Sequence, residues 1–188
     1  MNTAFPIRHI GIVAFAGAEV LDITGPYEVF TFANIILQEE GISQQPVYSV
    51  KILAEKAGPV TTLSGLQIIA NQSFSQINDV YDTLLIPGGD PEVALANPLI
   101  VELIKEMLPK VQRLVSICTG AFLLAESGLL DGLRATTHWN YCHELAEKYP
   151  KVIIEPDRIF IKEGNILTSG GITSGIDLAL AMIEEDWG

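Results

Sequence analysis

The chain has 188 residues, 48% of them hydrophobic and 18% charged, which supplies one full core and excludes a disordered chain. Eleven Lys and Arg stand against 23 Asp and Glu, and the resulting charge of −12 repels phosphate backbones, so nucleic-acid binding through this chain alone is excluded. No run is read as a membrane span, and two cysteines, Cys118 and Cys142, cannot build the disulfide framework of a secreted mini-domain. The expectation is a single, soluble, cytoplasmic α/β domain with no membrane contact.

Arg8, an apolar run over 10–18 and Ala16-Gly17-Ala18 resemble a secretory leader. The run is short and leads into a patterned helix, so 7–15 is read as the first core strand, turning at Gly17. Gly25-Pro26 opens a helix to about Gln38, and Gly41 stops it. A second strand follows over 47–54. Ser64-Gly65 turns a hairpin between 61–62 and 67–70. The apolar run 83–86 ends at Pro87-Gly88-Gly89, and Asn97-Pro98 starts a helix to about Leu108. Strand 114–117 runs into a helix over 119–127, then a short strand over 134–137 and a helix over 140–148. Glu163-Gly164 turns a hairpin between 158–161 and 165–168. The last helix covers 173–185, with Ala179, Met182 and Ile183 facing the sheet. Its acidic end, Glu184-Glu185-Asp186, opposes the helix dipole. Strands alternating with helices predict a mostly parallel sheet covered on both faces.

The strongest local signal is Val115-Ser116-Ile117-Cys118-Thr119-Gly120-Ala121. A buried strand ending in a cysteine, followed by small residues that open a helix, puts the sulfur on a tight turn at the sheet's carboxyl edge. The helix N-terminus favours thiolate there, and the Thr119 N–H faces a developing oxyanion. The same pattern also suits an inert buried cysteine. Gly88 and Gly89 let the backbone approach a ligand with N–H groups pointing inward, or form an ordinary turn. Asp22 is either a helix N-cap or a desolvated acid/base. His138 returns to the same edge as a ligand contact or a structural hydrogen-bonding residue. Cys142-His143 is read as surface or packing.

Ser169-Gly170-Gly171-Ile172-Thr173-Ser174-Gly175 suits either an anion or close helix packing, and lacks the dinucleotide spacing of glycines. The three histidines and two cysteines show no zinc-type spacing, so no metal and no cofactor is expected. The pocket is expected to be small and partly apolar, built from Leu21, Ile23 and Trp139.

With these pieces in order, the sequence resembles the ThiJ/PfpI superfamily, related to class I glutamine amidotransferases, through 21–26, 86–89, 116–120, 135–139 and 164–177. The resemblance implies a flavodoxin-like three-layer sandwich, a homodimer, Cys118 on a nucleophile elbow and Asp22 as its acidic partner. Thr119, not histidine, follows the cysteine, and the acid is not glutamate, which argues against a peptidase. Asp22, Cys118-Thr119-Gly120 and Thr136-Thr137-His138-Trp139 look like two branches of the family. One is isonitrile hydratase, in which Cys118 would attack the isonitrile carbon, Asp22 would shuttle the proton and Thr119 would position substrate or water. The other is the ligand-sensing domain of AraC-type regulators. Glu155-Pro156-Asp157-Arg158-Ile159-Phe160 and the stretch 176–188 look most like that branch, in which the chain continues to a DNA reader. The resulting expectation is a small-molecule sensor, with Cys118, Asp22 and Thr119 at its centre and Gly88, Gly89, His138 and Trp139 contacting the ligand. The enzyme is the alternative.

Overall fold

A computed structural model of the protein describes residues 5–77 and 80–188. The sheet forms around β1 (Arg8–Val13). The chain then passes through α1 (Val20–Glu39), β2 (Tyr48–Ala54), the hairpin β3 (Gly58–Thr61) and β4 (Gln67–Ala70), and the short β5 (Gln72–Ser73). Next come β6 (Thr83–Ile86), α2 (Pro91–Leu95), α3 (Pro98–Met107), β7 (Arg113–Ile117) and α4 (Gly120–Glu126). The remaining elements are β8 (Arg134–Ala135), α5 (Cys142–Lys148), β9 (Ile153–Ile154), β10 (Phe160–Glu163), β11 (Ile166–Ser169) and α6 (Thr173–Trp187).

The seven-stranded sheet has the order β10-β11-β7-β6-β1-β2-β5, parallel except for the β10–β11 hairpin. Strands β6 and β7 are buried along their whole length, as middle strands of a sheet covered on both faces must be. Helix α1 packs on α6, while α2, α3 and α4 pack together. This is the flavodoxin-like, three-layer α/β arrangement expected. The chain leaves β1 towards β2 on one side and returns at β6 on the other. That reversal opens a crevice at the carboxyl ends of β1 and β6, where such sheets take ligands.

Several expectations change. Helix α1 begins at Val20 rather than at Gly25-Pro26, because Glu19 caps it by accepting the Leu21 N–H at 3.4 Å. Asp22 therefore lies in the first turn and is not the N-cap. Gly25 is where α6 approaches: a Cβ there would lie 2.9 Å from Ile176 Cγ1. By length and composition α1, 20 residues, is long and apolar enough to cross a membrane, contrary to the sequence reading. It is packed into the protein along one side, through Ile23, Phe30 and Ala33.

The acidic end of α6 is neutralised rather than opposed. Asp186 accepts from Arg113 Nη1 and Nη2 at 3.1 and 3.0 Å and from the Tyr48 hydroxyl at 2.8 Å, with Arg8 Nε at 3.3 Å. Ala179 and Met182 are buried as expected, whereas Ile183 is half-buried and lines a groove between α1 and α6. Cys142 is buried and His143 is exposed. Short helix α2, capped by Asp90 through the Glu92 and Val93 N–H groups, was not anticipated.

Candidate functional site

Three chain segments converge at the crevice. Strand β7 runs directly into Cys118, whose φ of +58° lies in the left-handed region, so the turn into α4 is strained. Its sulfur-bearing residue is 7% exposed. The first turn of α1 brings in Asp22, fully buried. The loop after β11 brings Gly171 and Ile172.

Asp22 is held at both oxygens. Its carboxylate accepts the Gly88 N–H at 2.9 Å and the Ile172 N–H at 3.0 Å, and the Cys118 thiol lies beside it. Burial pushes Asp22 up to about 6, although the two N–H groups and the thiol pull the other way. Burial and the Asp22 charge push the Cys118 thiol up to about 12, over the opposing Thr119 N–H and hydroxyl. The helix terminus favours a thiolate, whereas burial and the neighbouring carboxylate act against it.

The structure brings Thr119, Gly88 and Gly89 together, but with their groups directed inward. The Thr119 hydroxyl donates to Gly89 O at 2.8 Å and accepts the Gly89 N–H at 2.9 Å. The N–H groups of Gly88 and Gly89 are therefore engaged by Asp22 and Thr119 rather than left for a ligand, contrary to the sequence reading. Gly88 is required for another reason: a Cβ there would lie 2.6 Å from Cys118 Cβ and 2.7 Å from Thr119 N. The Thr119 N–H remains beside the sulfur.

His138 reaches the same place. A Cβ on Gly171 would lie 2.4 Å from His138 Cδ2 and 3.0 Å from Cys118 Sγ, so imidazole and sulfur flank one glycine. Nδ1 of His138 accepts the Asn140 N–H at 3.3 Å, leaving Nε2 as the protonated nitrogen of the neutral ring. Thr137 donates its hydroxyl to Cys118 O at 2.7 Å, bracing the strained turn from the same segment. Trp139 is 75% exposed, with its ring 5.6 Å from that of His138. A cavity of about 560 Å³ adjoins the site through Gly171 and His138, with Trp139, Arg158, Ile172 and Ser174 on its walls. Of the expected apolar lining only Trp139 is there. Ile23 is in the core, and Leu21 faces the groove between α1 and α6.

Ile172 was missed as a site residue. Its φ of +59° and ψ of −101° are a strained combination for a β-branched residue, and this torsion points its N–H at Asp22. The signal was the neighbouring Gly170-Gly171, read as packing or an anion loop. Packing explains Gly175, where a Cβ would lie 2.8 Å from Ile117 Cδ1.

Chemically, the arrangement is a buried thiol against a buried acid, with one backbone N–H at the sulfur and a cavity alongside. Fold and site together define a flavodoxin-like α/β protein with a cysteine on a strained strand-to-helix turn. Residues 8–185 match the DJ-1/PfpI family, and the chain belongs to it. It is 34% identical to isonitrile hydratase of Pseudomonas putida, across 94% of this chain and 71% of that protein. It is 26% identical to the HTH-type transcriptional regulator GlxA of Rhizobium meliloti, across 97% of this chain. There it spans only 54% of the relative, about half of its length. A ThiJ/PfpI family protein from Pseudomonas syringae has the same fold, with a TM-score of 0.81 at 24% identity over 96% of this chain and 69% of that one.

Proposed function

We propose that the chain is the ligand-sensing DJ-1/PfpI domain of an AraC-type regulator, which takes a small molecule in the cavity beside Cys118 and Asp22. One observation carries this reading: the thiol is almost fully buried beside the buried Asp22, while the N–H groups of Gly88, Gly89 and Ile172 are satisfied internally. Such a site is organised to recognise a molecule rather than to present a thiolate and a free oxyanion hole. The likeness to a regulator along almost the whole chain supports it. The charge of −12 fits a domain that leaves phosphate contacts to another part of the protein. A cytoplasmic homodimer completes the reading.

The 34% identity to isonitrile hydratase favours a second reading, a lyase. In it the Cys118 sulfur bonds to the terminal isonitrile carbon, and the thiol proton reaches that carbon through Asp22, giving a thioimidate. Water then adds across the C=N bond, its oxygen to that carbon and one of its protons to nitrogen; the C–S bond breaks as the new hydroxyl's proton passes through Asp22 to sulfur, and an N-substituted formamide leaves.

Incubation of the purified chain with an alkyl isonitrile, followed by mass spectrometry of the formamide, separates the two readings. The sensor reading predicts formamide no faster than with Cys118→Ala. Turnover that disappears in Cys118→Ala overturns it and makes the chain a lyase.

A further inference from the structure

We infer that the protein carries a second small-molecule site, apart from the Cys118 crevice, at the carboxyl ends of β1 and β2 beside the base of the β3–β4 hairpin. Its ligand is a small carboxylate with an apolar ring or branched chain. This site stands whether the Cys118 site senses its molecule or turns it over.

The backbone makes room for it. The β1–β2 ladder pairs Arg8 with Tyr48 through to Val13 with Leu53, and it closes with the Ala14 N–H donating to Leu53 O at 2.7 Å. Beyond that bond no hydrogen bond joins the two segments among the described residues. The hairpin base is tied in from the other side, where the Gly17 N–H donates to Thr61 O at 3.1 Å. A cavity of about 450 Å³ lies between these segments, within the range of small-molecule sites. It shares no lining residue with the cavity beside Cys118.

The walls divide into an apolar part and a donor-rich part. Phe15, Pro59, Val60 and Phe74 supply apolar surface against which a ring or branched chain leaves water. On the same walls the N–H groups of Phe15 and Ala16 have no hydrogen-bond partner among the described residues, although Phe15 is buried. A buried donor calls for an acceptor. The Lys56 ammonium likewise has no partner among the described residues. One carboxylate stands there too, that of Glu55, and Asn97 Nδ2 donates to it at 3.4 Å.

Charge narrows the class of ligand. Two free N–H groups and an ammonium match a carboxylate, which only accepts. A phosphate dianion would meet Glu55 and a chain of net charge −12 with Lys56 alone to offset them. A cation would meet Lys56, with Glu55 already engaged by Asn97. A monoanion with an apolar body satisfies both parts of the wall.

Isothermal titration calorimetry of the full chain tests the site, with phenylacetate and its neutral counterpart phenylacetamide as probes. Lys56→Gln, Pro59→Trp and Arg158→Gln run beside the wild type, and far-UV circular dichroism checks that they stay folded. Lys56 and Pro59 are exposed residues of this cavity, whereas Arg158 walls the one beside Cys118. The wild type is expected to bind phenylacetate with a Kd on the order of 0.1–1 mM. Phenylacetamide, and phenylacetate with Lys56→Gln, should bind about tenfold more weakly. Pro59→Trp fills the cavity and should abolish binding, while Arg158→Gln should bind like the wild type. No saturable binding of phenylacetate by the wild type overturns the site. An amide bound as tightly as the acid, or an unaffected Lys56→Gln, overturns the seat for the anion. Binding that survives in folded Pro59→Trp overturns the location, and its loss in Arg158→Gln then places the acid beside Cys118. The sensor and lyase readings are decided separately, by formamide production.

Discussion

The Asp22 carboxylate and the Cys118 thiol come together in one buried site, although one leaves the first turn of a helix and the other the end of a strand on a different segment. Each raises or lowers the other's affinity for a proton, so the site's charge state belongs to the pair.

That coupling has a consequence for stability. Asp22 is pushed up to about 6 from an ordinary 3.8, so between these values the folded chain binds more protons than the unfolded one. Stability is then greatest below about pH 4 as far as this group is concerned, and falls by ~3 kcal/mol as pH rises through 6. Asp22→Asn should flatten this slope whatever its effect on absolute stability. Urea denaturation at several pH values between 4 and 8 checks it, and an equal slope in both proteins contradicts it.

Gly171 is the glycine that imidazole and sulfur share. Alanine there places a methyl 2.4 Å from His138 Cδ2, and half-buried His138 can swing outward to accommodate it. Gly171→Ala should keep the fold, losing about 1–2 kcal/mol, and slow alkylation of Cys118 by iodoacetamide on the order of tenfold. An unchanged rate would mean that reagents reach the sulfur by another route.

Ile172 holds a torsion that costs about 1–3 kcal/mol in a β-branched residue and nothing comparable in glycine. Its hydrogen bond to Asp22 comes from the backbone and survives substitution. Ile172→Gly should therefore change stability by less than about 1 kcal/mol, because relief of strain offsets the lost side chain and the added chain entropy. A loss above ~2 kcal/mol in thermal or urea unfolding would show that the torsion stores no strain.

At the opposite end of α6, Asp186 faces Arg113, whose side chain is 8% exposed, and Arg8. Removing the carboxylate leaves a buried guanidinium unpaired. Asp186→Asn is expected to cost about 3 kcal/mol in urea unfolding. A change below ~1 kcal/mol would mean that the Tyr48 hydroxyl and solvent replace the carboxylate.

The middle of this protein was legible in the sequence, and the edges were not. Strand β6 and the core of β7 stand out because residues buried on both faces leave no alternation to confuse, and Asn97-Pro98 marks α3 by its cap and its fixed φ. The start of α1 was misplaced because Gly25-Pro26 imitates a helix opening while the true cap, Glu19, is an uncommon one. That error carried Leu21 and Ile23 into the pocket. On a helix, neighbours point about 100° apart, so Asp22 alone faces the site, with Leu21 in the groove and Ile23 in the core. Ile172 acts through its backbone N–H, which no side-chain pattern announces. The forces on the thiol were half legible for a related reason: the helix start is visible in sequence, whereas burial and the nearness of Asp22 appear only in three dimensions.

The most direct test of the site described here is the pH dependence of Cys118 alkylation, in the wild type and in Asp22→Asn. If burial and the Asp22 charge together hold the thiol protonated, the wild-type rate keeps rising beyond pH 10, and the variant, which keeps the burial and loses the charge, reacts faster at pH 8 with its midpoint lowered. A variant that reacts at the wild-type rate, or more slowly, would contradict the pairing of Cys118 with Asp22 on which the functional reading stands.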